Sequence, residues 1–230
     1  MQIKGFVKTS FVDWDGKIVS TIFLPSCNFR CGFCYNTDLV YNPEKFNTIE
    51  FDEIKNYLLE NKKFIDGVCI GGGEPTIHKD LPDLIKKIKE LGFPVKLDTN
   101  GSNPDMIKYL IDNKLVDYVA MDIKAPLETY RDMIGVDIDI EKIKKTIDLI
   151  INSGIEYEFR TTVLPDFHKE ENIEAMTKSI KGSNKYVLQK FILTDSIIKP
   201  EFRKIYSPTD EYMKKLKQIA EKYVKNVVVR

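Results

Sequence analysis

Short runs rich in β-branched residues alternate with helical patterns along most of the chain, and this alternation constrains the fold more than any other feature. Repeated strand–helix units require parallel strands joined by right-handed crossovers. The predicted strands are 18–24, 68–70, 95–99, 118–122, 157–163 and 186–191. Six units predict an α/β fold, a partial (β/α)6 TIM-like barrel with helices outside, because a full eight-unit barrel usually takes about 250 residues. A doubly wound open sheet is the alternative.

The segments between and beside these strands complete the predicted organisation. The predicted helices are 51–61, 81–91, 104–113, 140–152, 170–181 and 208–225, and a last short strand is predicted just before the final residue. Asp15 and Gly16 stand between two β-rich runs, which predicts an N-terminal hairpin over 5–24. We expect a single domain, 1–230. Its barrel core spans 18–192, and a C-terminal helical extension spans 193–230.

Charge and hydropathy narrow the class of protein. The 35 basic and 35 acidic residues cancel to a formal charge of zero. Nucleic-acid binders draw much of their affinity from a basic surface, so we expect no nucleic-acid partner. The longest apolar runs fall far short of the roughly 20 residues that a membrane span needs. We see no signal peptide either, and therefore expect a cytoplasmic location, no membrane partner and reduced thiols.

Three of the four cysteines, Cys27, Cys31 and Cys34, follow the first parallel strand in a C-x-x-x-C-x-x-C spacing. Ligands of α/β folds bind at this end of the strands. A structural zinc site needs four ligands, and Cys69 and His78 are remote in sequence. Three unligated core residues are a second interpretation. An iron–sulfur cluster is the third, and three thiolates would leave one iron open to a substrate or cofactor.

Several segments carry a family resemblance. The cysteine spacing, with Phe33 as the aromatic residue before the last cysteine, resembles the cluster loop of the radical S-adenosylmethionine (SAM) superfamily. The segment CIGGGEP after the second strand resembles the Gly-Gly-Glu-Pro motif of that superfamily. Four further segments resemble the activating enzymes of glycyl-radical proteins: SFVDWDGK at 10–17, KLDTNG at 96–101, DYVAMDIKAP at 117–126 and EFRTTVLP at 158–165. The activating protein of anaerobic ribonucleoside-triphosphate reductase is more similar than that of pyruvate formate-lyase.

The resemblance implies a radical SAM oxidoreductase. Cys27, Cys31 and Cys34 would hold a [4Fe-4S] cluster, and SAM would chelate its unique iron. Reductive cleavage of SAM would give a 5′-deoxyadenosyl radical, which abstracts hydrogen from a glycine of a partner, anaerobic ribonucleoside-triphosphate reductase. The electron would come from ferredoxin or flavodoxin. Two alternatives stay open: a radical SAM enzyme acting on a small metabolite or nucleobase, and a non-catalytic iron–sulfur or zinc protein.

The resemblance also implies which residues hold SAM. The methionyl amine is expected at Gly72, Gly73 and Glu74. The adenine is expected between Phe33 and the backbone at Tyr35.

Other candidates are polar residues at later strand ends. Lys124 and Arg160 are candidates for the SAM carboxylate, and Gln189 for the adenine or ribose.

Asp98, Thr99 and Asp122 form a separate candidate site. Two carboxylates at the ends of adjacent strands can share a cation, and oxygen ligands suit an alkali or alkaline-earth ion. The resemblance to the pyruvate formate-lyase side of the family implies that this ion is a monovalent cation at Asp98 and Asp122. The alternative is that these carboxylates cap helices or pair with Lys96 or Lys124.

Four other positions are considered for a role outside the SAM and cation sites. Cys69 is expected to pack as a small apolar residue in its strand. His78 and His168 are expected at the surface or as capping residues. Ser26 stands where relatives more often have glycine.

Overall fold

The computed structural model describes residues 1–194 and 202–230. Its strands are β1 Gly5–Ser10, β2 Val19–Leu24, β3 Gly67–Gly72, β4 Val95–Thr99, β5 Tyr118–Asp122, β6 Glu156–Val163, β7 Tyr186–Lys190 and β8 Val227–Val229. Its α-helices are α1 Thr37–Tyr41, α2 Phe51–Glu60, α3 Leu81–Glu90, α4 Pro104–Asp112, α5 Tyr130–Ile134, α6 Ile140–Ile151, α7 Glu170–Ser179 and α8 Asp210–Ala220. Within the described residues, no helix is long and apolar enough to span a membrane.

The sheet follows chain order from β1 to β8. Strand β1 is antiparallel to β2, whereas the pairs β2–β3, β3–β4, β6–β7 and β7–β8 are parallel. A doubly wound sheet would reverse its strand order at a switch point. The sequential order is that of a partial TIM-like barrel, so the predicted α/β fold class is confirmed.

The described residues group into two compact units, and the first consists of residues 1–28 and 36–119. Its N-terminal hairpin forms as predicted, with Gly16 in a left-handed turn at φ 72°. Helix α3 buries Leu81, Leu84 and Ile88, which follow each other at the spacing of an amphipathic helix. Helix α4 begins as predicted, because the Asn103 side chain accepts a hydrogen bond from the backbone N–H two residues beyond Pro104.

The second unit consists of residues 29–35 and 120–230. Its longest helix, α6, buries Ile143, Ile147 and Ile150. Strand β6 alternates between buried and half-buried residues near its end. The prediction of one domain, 1–230, stays a prediction. Residues 195–201 of the predicted extension lie outside the described residues, and the rest of that extension contains α8 and β8.

Candidate functional site

In the first unit, the glycine turn after β3 packs directly on the backbone that leads into the cysteine loop. Gly73 N–H donates to the Leu24 carbonyl at 2.9 Å, and Glu74 N–H donates to the Ser26 carbonyl at 2.8 Å. A Cβ on Gly73 would lie 1.6 Å from the Ser26 oxygen, and one on Gly72 would lie 2.4 Å from the Leu24 oxygen. Glycine is therefore required at both positions by backbone contact.

Ser26, just before the first cysteine, has a left-handed backbone with φ 64°. Its N–H donates to the Leu39 carbonyl at 3.1 Å, which ties the start of the loop to α1. A left-handed conformation favours glycine, so Ser26 holds a backbone conformation that glycine would adopt more easily.

The Glu74 carboxylate is buried, with 1% of the residue exposed. It accepts hydrogen bonds from the Thr76 N–H and hydroxyl, from the Thr99 hydroxyl at 2.7 Å and from the Asn100 N–H at 2.6 Å. Burial raises the pKa of the Glu74 carboxyl despite these donors. These bonds fix the turn after β3 to the end of β4. The predicted contact between Glu74 and the SAM amine stays a prediction.

Cys27 is half-buried among polar side chains that the sequence reasoning missed. The Asn100 amide lies 3.7 Å from the Cys27 sulfur and donates to the Asn28 side-chain oxygen at 2.9 Å. Asn28 in turn donates to the Ser102 hydroxyl at 2.8 Å. The segment NGS directly follows β4, so its position at a strand end was the available signal.

In the second unit, Cys31 and Cys34 lie in a turn in which Cys34 N–H donates to the Cys31 carbonyl at 3.3 Å. The turn is attached to α5, because Arg30 N–H donates to the Ile134 carbonyl at 2.8 Å. Burial raises the pKa of the Cys31 thiol to about 11, and the charge of Lys124 opposes this rise.

Phe33, between these two cysteines, is packed among aromatic rings. The residue is 6% exposed. Its ring centroid lies 5.8 Å from that of Phe202, which stacks on Phe167 at 5.0 Å. The Lys124 ammonium lies 5.9 Å from the Phe33 centroid. Its predicted contact with adenine stays a prediction.

Asp122, Lys124 and Arg160 form one charged cluster in the second unit. Asp122 accepts from Arg160 Nε at 2.9 Å and from Lys124 Nζ at 3.0 Å. Burial alone would raise the pKa of the Asp122 carboxyl, but the two cations outweigh it and lower the pKa to about 2. Two cations and one carboxylate leave a net positive charge, which suits an anionic ligand group.

The cation predicted at the two aspartates does not fit the residues found there. Asp98 pairs with the Lys96 ammonium in the first unit, and Asp122 pairs with Lys124 and Arg160 in the second. Each carboxylate therefore already has a protein cation, which is the alternative that the sequence left open. The Thr99 hydroxyl is directed to Glu74.

The last two candidates lie at the end of β7. The Tyr35 hydroxyl accepts a hydrogen bond from Ile192 N–H at 2.9 Å, and its ring stacks on Phe191 at 6.0 Å. Burial raises the pKa of the Tyr35 hydroxyl. Gln189 is half-buried and lies opposite Thr162 of β6. Tyr35 therefore anchors the chain after β7, and the SAM contacts predicted for both residues stay predictions.

The remaining residues named in the sequence analysis are Cys69, His78 and His168, and each is buried or half-buried within the protein. Cys69 is buried in β3, as expected. His78 is half-buried with Nε2 2.8 Å from the Pro25 carbonyl. His168 is fully buried and not at the surface: its Nδ1 accepts from Leu164 N–H, so its Nε2 donates to the Lys124 carbonyl, both at 2.9 Å. Burial lowers the pKa of His168 to about 4, so its ring is neutral.

The three thiols of the loop fit an iron–sulfur cluster in their chemistry. Cys27, Cys31 and Cys34 are half-buried, and none is in a disulfide. In the described part of the chain, no three His, Cys, Asp or Glu side chains are grouped to hold a single metal ion. In a cluster each thiolate binds its own iron, so its ligands stand farther apart than those of one ion. The amide of Asn100 beside Cys27 is the kind of donor that stabilises a ligating sulfur.

Comparison with known proteins defines the class. The model of the radical SAM superfamily matches residues 21–181, well over half of the chain. With its fold and its three-cysteine loop, the chain belongs to the radical SAM superfamily. This family implies a [4Fe-4S] cluster and SAM as cofactors.

Individual relatives refine this class. A Methanocaldococcus jannaschii protein is 38% identical over 233 residues, which cover 99% of this chain and 95% of that protein. Its provisional name is glycyl-radical enzyme activating enzyme, which agrees with the resemblance read from the sequence.

Two solved structures share the fold. A domain of the pyruvate-formate lyase-activating enzyme of Bacteroides vulgatus has a TM-score of 0.57 at 20% identity, covering 71% of this chain and 98% of that one. Streptococcus suis SuiB bound to S-adenosylmethionine has a TM-score of 0.67 at 16% identity, covering 91% of this chain and 51% of that one.

Proposed function

We propose that this chain is the activating enzyme of a glycyl-radical enzyme, with anaerobic ribonucleoside-triphosphate reductase as its protein substrate. The observation that carries the proposal is the seating of the glycine turn on the backbone of the cysteine loop, through Gly73 and Glu74. A metal protein that binds no nucleotide would not need this second, glycine-only turn beside its cysteines. The name of the Methanocaldococcus jannaschii relative, which matches almost the whole chain, supports a glycyl-radical enzyme as the class of substrate. The reductase in particular rests on the sequence resemblance.

In this proposal Cys27, Cys31 and Cys34 hold a [4Fe-4S] cluster. This group would supply one-electron reductive cleavage of a SAM carbon–sulfur bond to methionine and a 5′-deoxyadenosyl radical, and that radical would take a hydrogen atom from a glycine of the partner. Asn100 orients Cys27 through its amide. A low-potential donor such as ferredoxin or flavodoxin supplies the electron, and the reaction takes place in the cytoplasm.

The other residues bind and orient SAM. The backbone at Gly72 and Gly73 accommodates the methionyl end, and Glu74 keeps that turn in place through its bonds to Thr99 and Asn100. The excess positive charge of Lys124 and Arg160 over Asp122 attracts the SAM carboxylate. Phe33, Tyr35 and Gln189 line the adenosine side.

The test is anaerobic reconstitution with iron and sulfide, followed by electron paramagnetic resonance of the reduced cluster with and without SAM. We expect SAM to change the spectrum, and C31A to lose both cluster and SAM cleavage. Purified anaerobic ribonucleoside-triphosphate reductase should then acquire a glycyl radical and stimulate release of 5′-deoxyadenosine. Release that depends on a small metabolite, with no radical on the reductase, would favour the alternative substrate class. A reduced cluster that never cleaves SAM would contradict the enzyme itself.

A further inference from the structure

Lys96, the second residue of β4, is a fully buried lysine in the first unit. Only 1% of its side chain is exposed. Asp98 is two residues further along the strand, so both side chains project from the same face of the sheet. The Lys96 ammonium pairs directly with the Asp98 carboxylate. Because removing a charge from water costs several kcal/mol, a buried ammonium needs such a partner.

The surroundings of this ammonium resemble those of a bound cation. Its nitrogen lies 6.0 Å from the centroid of the Tyr118 ring, and aromatic faces attract cations. The Trp14 ring packs against Tyr118 with centroids 5.6 Å apart, which completes an apolar wall. Asp98 is less enclosed, with 25% of its side chain exposed. The pair therefore runs from a buried ammonium to a carboxylate nearer solvent.

We infer that Lys96 is the resident cation of Asp98: a tethered ammonium that neutralises and positions this carboxylate, in place of the free monovalent cation that the sequence pattern predicts. A carboxylate compensated by a covalently attached charge has no need of an ion from solution. Folding and ligand binding at the end of β4 should then not depend on which alkali ion is present. Lys96 is thus a positioning residue that acts through Asp98.

The test measures thermal unfolding of the full chain at one ionic strength in potassium, sodium, ammonium or choline chloride. Choline is too large to replace a lysine ammonium. We expect the wild type to have the same midpoint in all four salts. K96A, which removes the ammonium and leaves a small space beside the Asp98 carboxylate, should unfold roughly 10 °C lower in choline chloride. Ammonium or potassium should restore part of this loss.

A matched control separates this effect from the general loss of an ion pair. Lys89 pairs with Asp117 at 2.7 Å on the half-exposed side of the same unit. K89A should shift the unfolding midpoint only slightly, because ion pairs near the surface contribute little to stability. It should also unfold at the same temperature in all four salts.

Three results would overturn the inference. One is a wild-type midpoint that rises in potassium over choline, which would indicate a free cation. A second is a K96A midpoint that no small cation raises. If K96A does not fold, K96M is compared with K96M/D98N. The double variant should be more stable than K96M, and its unfolding midpoint should be the same in all four salts. A double variant that is no more stable than K96M is the third result that would overturn the inference. Because no step needs the cluster or SAM, a failure here is distinct from a failure of the proposed function.

Discussion

Gly73 shows at the scale of one residue how closely two motifs are joined. A methyl group there would lie 1.6 Å from a backbone oxygen, whereas one on Gly71 would lie 3.5 Å from the Asp98 side chain, an ordinary contact. We expect G73A to lose about 2–3 kcal/mol of stability or more, and G71A to stay within about 1 kcal/mol of the wild type. Chemical denaturation of the two variants measures this. Equal losses would mean that the turn can move away from the loop.

Ser26 offers a second residue-scale test, with the opposite sign. A left-handed backbone costs a residue with a side chain about 1–2 kcal/mol, and glycine loses about 0.5–1 kcal/mol more entropy on folding than other residues. S26G should therefore raise the free energy of unfolding by about 0.5 kcal/mol. K114G should raise the free energy of unfolding by a similar amount, because the backbone of Lys114 is also left-handed, at φ 54°. K55G, inside α2, should instead cost about 1 kcal/mol. A loss in S26G as large as that in K55G would contradict the argument.

The sequence identified the motif residues but not their contacts. Glycines at Gly72 and Gly73 were expected to admit a ligand, and the structure adds that they admit another backbone. The burial of His168 could not be predicted, because an isolated histidine carries no periodic pattern. The partners of Asp98 and Asp122 were foreseen only as an alternative to a cation, since lysines two residues away can point either to the carboxylate or to solvent.

At the scale of elements, the short helix α5 is in backbone contact with the cysteine loop at its C-terminal end. The residue that caps its C-terminus is Gly135, whose backbone is left-handed at φ 69°, and a Cβ there would lie 2.8 Å from the Arg30 carbonyl. Gly154 is also left-handed, at φ 76°, but has no atom within 4 Å of the added carbon. Both positions share the cost of backbone strain, and only Gly135 contacts the cysteine loop.

This pair gives a prediction for the loop. G135A and G154A should both lose about 1 kcal/mol of stability from strain. Only G135A should also bind less iron on reconstitution, because it displaces the backbone before Cys31. Iron and sulfide analysis of the two proteins measures this. Equal iron content in both variants would show that α5 does not hold the loop.

The long elements were predictable and the short ones were not. Strands β4 and β5 have the predicted bounds, and the ends of α2, α3, α4, α6 and α7 differ by at most two residues. Helix α8 is shorter than predicted, Asp210–Ala220 instead of 208–225. Helices α1 and α5 were missed, because five residues are too few for helical periodicity to be recognised. Such elements are held by tertiary contacts, for example Ser26 N–H on the α1 residue Leu39.

At the scale of the whole molecule, His168 links folding to pH. Its pKa is about 4 in the folded chain, against 6.5 for an ordinary histidine. Between these values the unfolded chain binds the proton and the folded chain does not, so stability falls as pH falls from about 6.5 to 4. The full effect is about 3 kcal/mol. H168Q should be less stable at neutral pH but should lose this slope, as measured by urea denaturation across that range. An unchanged slope in H168Q would show that other groups cause the pH dependence of stability.

The overall fold and family followed from sequence because they depend on repetition and spacing. Alternating strands and helices predicted a sequential parallel sheet, and the three cysteines with the glycine motif indicated the superfamily. The pairing of Asp122 with Arg160, 38 residues away, depends on three-dimensional proximity that no linear spacing encodes.

The contact between Gly73 and Ser26 has a consequence for how such a sequence can diverge. The atoms that meet belong to the main chain of position 26, so any side chain there leaves the fit intact, as the serine already illustrates. At Gly73, in contrast, a single added carbon would overlap the Ser26 backbone. Side chains can therefore vary at position 26, at the cost of its left-handed backbone alone, whereas position 73 requires glycine.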